Sequence, residues 1–107
     1  MAMGEKHAVE LAKVIGEYSF RLDELPETKI KIRLFRYLDN PENVYFSTSH
    51  YIHTPTQFDA YRTSRNWEYS EEQALKRAIE TITSYYQNAI DTGETPEYSW
   101  LVPNTMF

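Results

Sequence analysis

The run Lys29-Ile30-Lys31-Ile32-Arg33-Leu34 alternates cation and aliphatic without a break. Successive side chains of a strand point to opposite faces, so this run predicts a β-strand with one aliphatic and one basic face. Downstream, Asp39-Asn40-Pro41-Glu42-Asn43 carries turn chemistry, and Val44 to Thr54 returns to β-rich composition. The two segments predict an antiparallel hairpin with a loop of about five to seven residues. Pairing Tyr37 with Tyr45 gathers Lys29, Lys31, Arg33, Phe35, Tyr37, Tyr45, Ser47, Ser49, Tyr51 and His53 on one face. The opposite face then holds Ile30, Ile32, Leu34, Val44, Phe46, Thr48, His50 and Ile52, which suits a core.

Working outward, Tyr18, Phe20 and Leu22 alternate with Ser19, Arg21 and Asp23, predicting an earlier strand stopped by Leu25-Pro26. Before it, Ala8, Leu11, Ala12 and Ile15 recur at helical spacing, which predicts a short N-terminal amphipathic helix ending at Gly16. Past Pro55, Phe58, Ala60 and Tyr61 are expected to form one more short strand. Ser70-Glu71-Glu72-Gln73 matches a capping box, and Leu75, Ala78, Ile79, Ile82, Tyr86, Ala89 and Ile90 then form one apolar arc. This is a long helix of about 21 residues, ended by Gly93 and Pro96. The tail Tyr98-Ser99-Trp100-Leu101-Val102-Pro103 is too apolar to stay in water, so it folds back or pairs with a second copy. The expected fold is a single α+β domain over residues 1–107. It is a two-layer sandwich with an N-terminal helix, an antiparallel sheet of three or four strands, a long C-terminal helix packed across it, and an apolar tail.

Composition limits what such a domain can do. The chain has 107 residues, enough for one core, and sixteen aromatic residues with only three glycines, which excludes a disordered chain. No stretch is long and apolar enough to span a bilayer. Eleven Lys and Arg stand against sixteen Asp and Glu, a net charge of −5, so no overall field draws the chain to nucleic acid or anionic lipid. With no cysteine, disulfides and thiolate chemistry are excluded. The polar N-terminus, Met1 to His7, does not read as a signal peptide, and cytoplasmic residence is expected.

Candidate sites follow from these placements. His50 and His53 lie three apart on a strand and diverge, so no metal site and no cofactor are expected. No nucleophile elbow or glycine-rich phosphate loop is present, and no catalytic residue is assigned. A pocket gathering His50, Asp59 and Tyr61 is the arrangement that small-ligand binding or an enzyme would need. Four of the eleven basic residues fall between positions 29 and 36, beside the ring-rich face. Tyrosines with arginine on an open sheet are hot-spot composition for protein interfaces. The expected function is therefore a small non-catalytic interaction or regulatory module with an unidentified protein partner, self-associating as a homodimer. Its contacts would be Arg33, Phe35, Tyr37, Tyr45 and Tyr51, with Trp100 and Leu101 as tail anchors; Trp67 and Tyr69 add to that reading. The alternative is single-stranded nucleic-acid binding on the same face, with bases stacked on rings and Lys29, Lys31 and Arg33 on phosphates.

The segment Ser70-Glu71-Glu72-Gln73-Ala74-Leu75, followed by Ala78, Ile79 and Gly93-Glu94-Thr95-Pro96, resembles the helix of the HicB-type antitoxin domain, whose fold is similar to double-stranded-RNA-binding domains. The resemblance covers about a quarter of the chain and implies a partner-binding or RNA-mimicking module. Glu71-Glu72 stand where such RNA-binding domains place cations, which argues against duplex RNA.

Overall fold

The computed structural model describes residues 7–107; the polar segment Met1 to Lys6, read above as no signal sequence, lies outside them. Six strands and one α-helix follow in order: β1 (Ala12–Leu22), β2 (Leu25–Tyr37), β3 (Asn40–Thr48), β4 (His50–Ile52), β5 (Trp67–Glu68), α1 (Glu71–Asp91) and β6 (Leu101–Pro103). The antiparallel sheet has the order β1-β2-β3-β5, and β4 pairs with β6 in a separate two-stranded ribbon.

The expected N-terminal helix is overturned. Among the described residues strand (41%) outnumbers helix (24%), and the latter is α1 together with one 3-10 turn, Tyr98–Trp100, so the layout is a sheet-dominated antiparallel fold without the N-terminal helix of the expected two-layer sandwich. Glu10 sits in the left-handed region, with φ of 51°, which breaks any helix through 8–15. From Ala12 the chain pairs with Tyr37, Arg36 and Phe35. The long alternation of β2 offers a full row of unpaired backbone groups, and satisfying them outweighs the modest apolar stripe of an isolated three-turn helix. Gly16 follows a register shift between Val14 and Gly16 instead of ending a helix.

The hairpin also differs in detail. Tyr37 pairs with Asn40, so only Leu38 and Asp39 form the turn, and a further shift places Phe35, not Tyr37, opposite Tyr45. The two-residue slip leaves parity untouched, since side-chain direction repeats every second residue. Ile30, Ile32, Leu34, Val44 and Phe46 are buried accordingly. The expected strand around Phe58 to Tyr61 is loop, and the strand that completes the sheet is β5.

At Ser49 the chain leaves the sheet. The Lys31 N–H donates to Ser49 Oγ at 2.8 Å, while the Ser49 carbonyl accepts from the Asn104 N–H at 2.8 Å. The Ser49 side-chain hydroxyl thus replaces the carbonyl in the sheet and frees it for the tail. The tail folds back on its own chain: Asn104 Nδ2 also donates to the Thr48 carbonyl, and β6 pairs with β4.

α1 crosses the aliphatic face, burying Ala74, Ala78, Ile82, Tyr86 and Ala89. Ala74 and Ala78 pack on Ile32, Leu34, Val44 and Phe46; Ile82, Tyr86 and Ala89 pack on Leu22, Leu25, Ile30, Ile52, Trp100 and Leu101. Ser70 Oγ accepts from the Gln73 N–H at 3.1 Å, capping the helix. Ser70→Ala is expected to cost about 1 kcal/mol, read as a lower urea midpoint at unchanged slope.

Candidate functional site

The face of the sheet turned away from α1 is crossed by a single apolar row. Val14 pairs with Phe35, Phe35 with Tyr45 and Tyr45 with Trp67, so one side chain from each of the four strands stands in line. The rings lock together: Phe35 stacks on Tyr45 at 5.8 Å between centroids, and Tyr37 meets both edge-on, at 5.6 Å from Phe35 and 4.9 Å from Tyr45. Asn40 Nδ2 donates to the Tyr45 hydroxyl at 3.3 Å, holding its tip. At the far end Trp67 meets Tyr69 edge-on at 5.4 Å, and the guanidinium of Arg65 lies 4.2 Å from the Trp67 ring centre. Val14 and Tyr69 are exposed, and the rings between them are half-buried.

Next along the strands lies a polar row. Arg33 Nε donates to Glu17 Oε1 at 3.0 Å, its Nη1 donates to the Phe107 main-chain oxygen at 2.9 Å, and its guanidinium lies 4.2 Å from the Phe107 ring centre. The tail therefore ends against this cation. Lys29 and Lys31 follow on the same face, exposed and without an ion-pair partner among the described residues. Together with Glu17, Ser19, Arg33 and Phe107 they line an open groove of about 480 Å³.

Of the residues singled out from sequence, Arg33, Phe35, Tyr37 and Tyr45 are thus brought together, with Lys29 and Lys31 adjoining. Tyr51 is not among them. The turn at Ser49 carries it to a smaller pocket shared with Tyr61, Thr81 and Asn104, where the Arg62 guanidinium lies 4.9 Å from its ring centre. Trp100 and Leu101 are core residues, 3% and 6% exposed, because β6 pairs with β4 and turns both inward under Tyr86. As partner anchors they are corrected: their apolar area serves the chain's own core. Val14, Arg65, Trp67 and Phe107 were missed as one set. The period-two spacing Arg65-x-Trp67-x-Tyr69 is the signal that would have placed β5.

His50, Asp59 and Tyr61 are not joined by hydrogen bonds. His50 Nδ1 is 2.8 Å from Ser49 Oγ, and burial pushes its pKa below the ordinary imidazole value. Asp59 accepts from the Ala60 N–H, and Tyr61 packs its ring on Tyr85 at 4.9 Å. Among the described residues no group of three or more His, Cys, Asp or Glu is placed to hold a metal ion, and no helix is long and apolar enough to cross a membrane. No protein family, curated protein or solved structure matches this chain.

Proposed function

We propose that this chain is a non-catalytic, cytoplasmic protein-interaction module whose open sheet face docks an acidic protein segment bearing apolar side chains. The observation that supports this is the four-strand row Val14, Phe35, Tyr45 and Trp67, uncovered among the described residues and flanked by the unpaired Lys29 and Lys31. Interlocked rings present contact area whose rotamers are already fixed, so binding costs little side-chain entropy. The two lysines supply orientation and association rate toward an acidic surface, on a chain that elsewhere is acidic. The resemblance of the α1 segment to the antitoxin helix agrees with partner binding.

Two features favour protein over single-stranded nucleic acid. Phe35, Tyr37 and Tyr45 spend their faces and edges on one another, whereas base stacking needs free ring faces. Arg33 is committed to Glu17 and to the Phe107 main-chain oxygen, leaving two cations for phosphate contacts.

Titration of the isotopically labelled chain with a glutamate–leucine copolymer tests the reading. Amide shifts are expected at Phe35, Tyr45 and Trp67, and they should fade as salt rises. Lys29→Glu with Lys31→Glu, both on exposed side chains, should weaken binding about tenfold or more while leaving stability within about 0.5 kcal/mol. Shifts caused by an oligothymidylate but not by the copolymer would transfer the face to nucleic acid; shifts confined to α1, or none, would overturn it.

A further inference from the structure

The sheet ends very differently on its two sides. β5 is two residues long and is prolonged by the 61–66 loop, where the Phe46 N–H donates to the Asn66 carbonyl. β1 is eleven residues long and pairs only with β2. A long unpaired edge is a template for another strand, and native proteins usually blunt it.

The direction of the free groups on β1 follows from β2. The Lys31 N–H donates to Ser49 Oγ, and the Lys31 carbonyl accepts from the Ser49 N–H at 2.9 Å, so both groups of Lys31 point toward β3. Its partner Ser19 is therefore in a non-hydrogen-bonded pair, with its own N–H and C=O directed away from β2. By the same alternation Glu17 presents its groups outward; Arg21 continues the strand at the register shift after Phe20, its Nη1 donating to the Pro26 carbonyl at 2.7 Å, a bond the dimer would exchange for one to Glu17.

We infer that β1 pairs antiparallel with β1 of a second copy, about a two-fold axis through Ser19, joining two four-stranded sheets edge to edge. In this register Ser19 faces its counterpart, Glu17 faces the second copy's Arg21, and Arg21 faces its Glu17. The Ser19 pair makes two main-chain hydrogen bonds at the axis, and the Glu17–Arg21 pairs on either side carry the ladder out to the register shifts. On the helix side Tyr18 faces Phe20 twice over, covering a tyrosine that is 42% exposed in the single chain. Gly16 leaves room for that contact: a Cβ there would stand 2.9 Å from Tyr18 Cε2, so a larger residue would shift the ring from its place along the edge.

Charge selects the register. An axis through Glu17 opposes two carboxylates, one through Phe20 sets Glu17 against Asp23, and one through Arg21 opposes two guanidinium groups. An axis through Tyr18 leaves Glu17 opposite Ser19 with no ion pair. Register shifts between Val14 and Gly16 and between Phe20 and Leu22 bound the regular stretch to the residues around Ser19. The main-chain edge of β1 adjoins the open face, whose groove Glu17 and Ser19 also line, so the dimer is tested on the chain alone, without the acidic partner.

Sedimentation equilibrium of the full chain, from micromolar to near-millimolar concentration, is the test. A monomer–dimer equilibrium is expected. Ser19→Pro should weaken it about tenfold or more, since proline removes the N–H at the axis, while the monomer loses nothing because that N–H faces water. Glu17→Arg and Arg21→Glu should each weaken the dimer, and the double variant should recover it. Both Glu17→Arg and the double variant lose the Arg33 ion pair, so recovery can arise only between copies. A chain that stays monomeric, a dimer indifferent to Ser19→Pro, or a double variant no better than the singles would each overturn the inference.

Discussion

Trp100→Ala is expected to remove about 3–5 kcal/mol of stability, enough to leave a domain of ordinary stability largely unfolded on mild warming. Trp100 is 3% exposed and packs with Leu22, Leu25, Ile30, Ile52 and Ile82, its ring edge-on to Tyr86 at 6.2 Å. Its main-chain carbonyl accepts from the His53 N–H at 2.8 Å, so the 3-10 turn Tyr98–Trp100 is fixed to the segment after β4. Alanine keeps that backbone bond and empties the ring's volume between strand, helix and tail. Leu101 beside it is already packed in the same cluster and Leu22, Leu25 and Ile30 are held in the sheet, so the cavity is expected to persist rather than collapse. Thermal unfolding followed by far-ultraviolet circular dichroism should report a drop of roughly 4–8 °C per kcal/mol for a chain of this size. Trp67→Ala is the matching control, since its ring is half-buried on the open face and its loss should fall on partner binding more than on stability. If Trp100→Ala unfolded with the wild-type midpoint, the residue would have to be returned to the surface as a docking anchor.

The contrast between the two tryptophans shows which information the sequence carries. Ser70, Gln73 and the 3.6-residue apolar recurrence specify α1 locally, because cap and stripe are properties of neighbours along the chain. The buried parity of Ile30, Ile32 and Leu34 is local in the same sense. What a strand pairs with is not local. The stripe Ala8, Leu11, Ala12 and Ile15 has helical spacing, yet 12–22 became β1 because β2 lay alongside it with unpaired groups. Ser49 reads as one more polar residue in a β-rich run until its hydroxyl takes over the bond to Lys31 and its carbonyl turns to Asn104. That substitution removes Tyr51 from the aromatic face and brings Trp100 and Leu101 inside. The candidate site was therefore readable on β2 and β3, where alternation alone places side chains. It was unreadable at Val14, Trp67 and Phe107, which long-range pairing and the returning tail bring to it.

Raising the pH should destabilise the protein through one identifiable phenol. Tyr86 is 5% exposed, and its pKa is pushed up to about 12, chiefly by burial and secondarily by the hydrogen bond its hydroxyl donates to Asp23 Oδ1 at 2.9 Å; the Glu24 N–H, donating to the Tyr86 hydroxyl oxygen at 3.3 Å, opposes the shift. In the unfolded chain a tyrosine titrates near 10. Below that pH both states hold the proton and Tyr86 adds no pH dependence. Between about 10 and 12 the unfolded chain releases a proton that the folded chain keeps, so stability falls as pH rises, by about 3 kcal/mol in all. Tyr86→Phe keeps the ring against Trp100 and deletes the ionisation. The variant should be less stable than wild type near neutrality by about 1 kcal/mol, the worth of the lost hydrogen bond. Its deficit should then shrink as the pH rises past 10 until the two stability curves cross, beyond which the variant is the more stable. Urea unfolding of both proteins at a series of pH values locates the crossing. Parallel curves throughout the alkaline range would show that the Tyr86 hydroxyl is already open to water, and the core around Trp100 would have to be looser than its packing indicates.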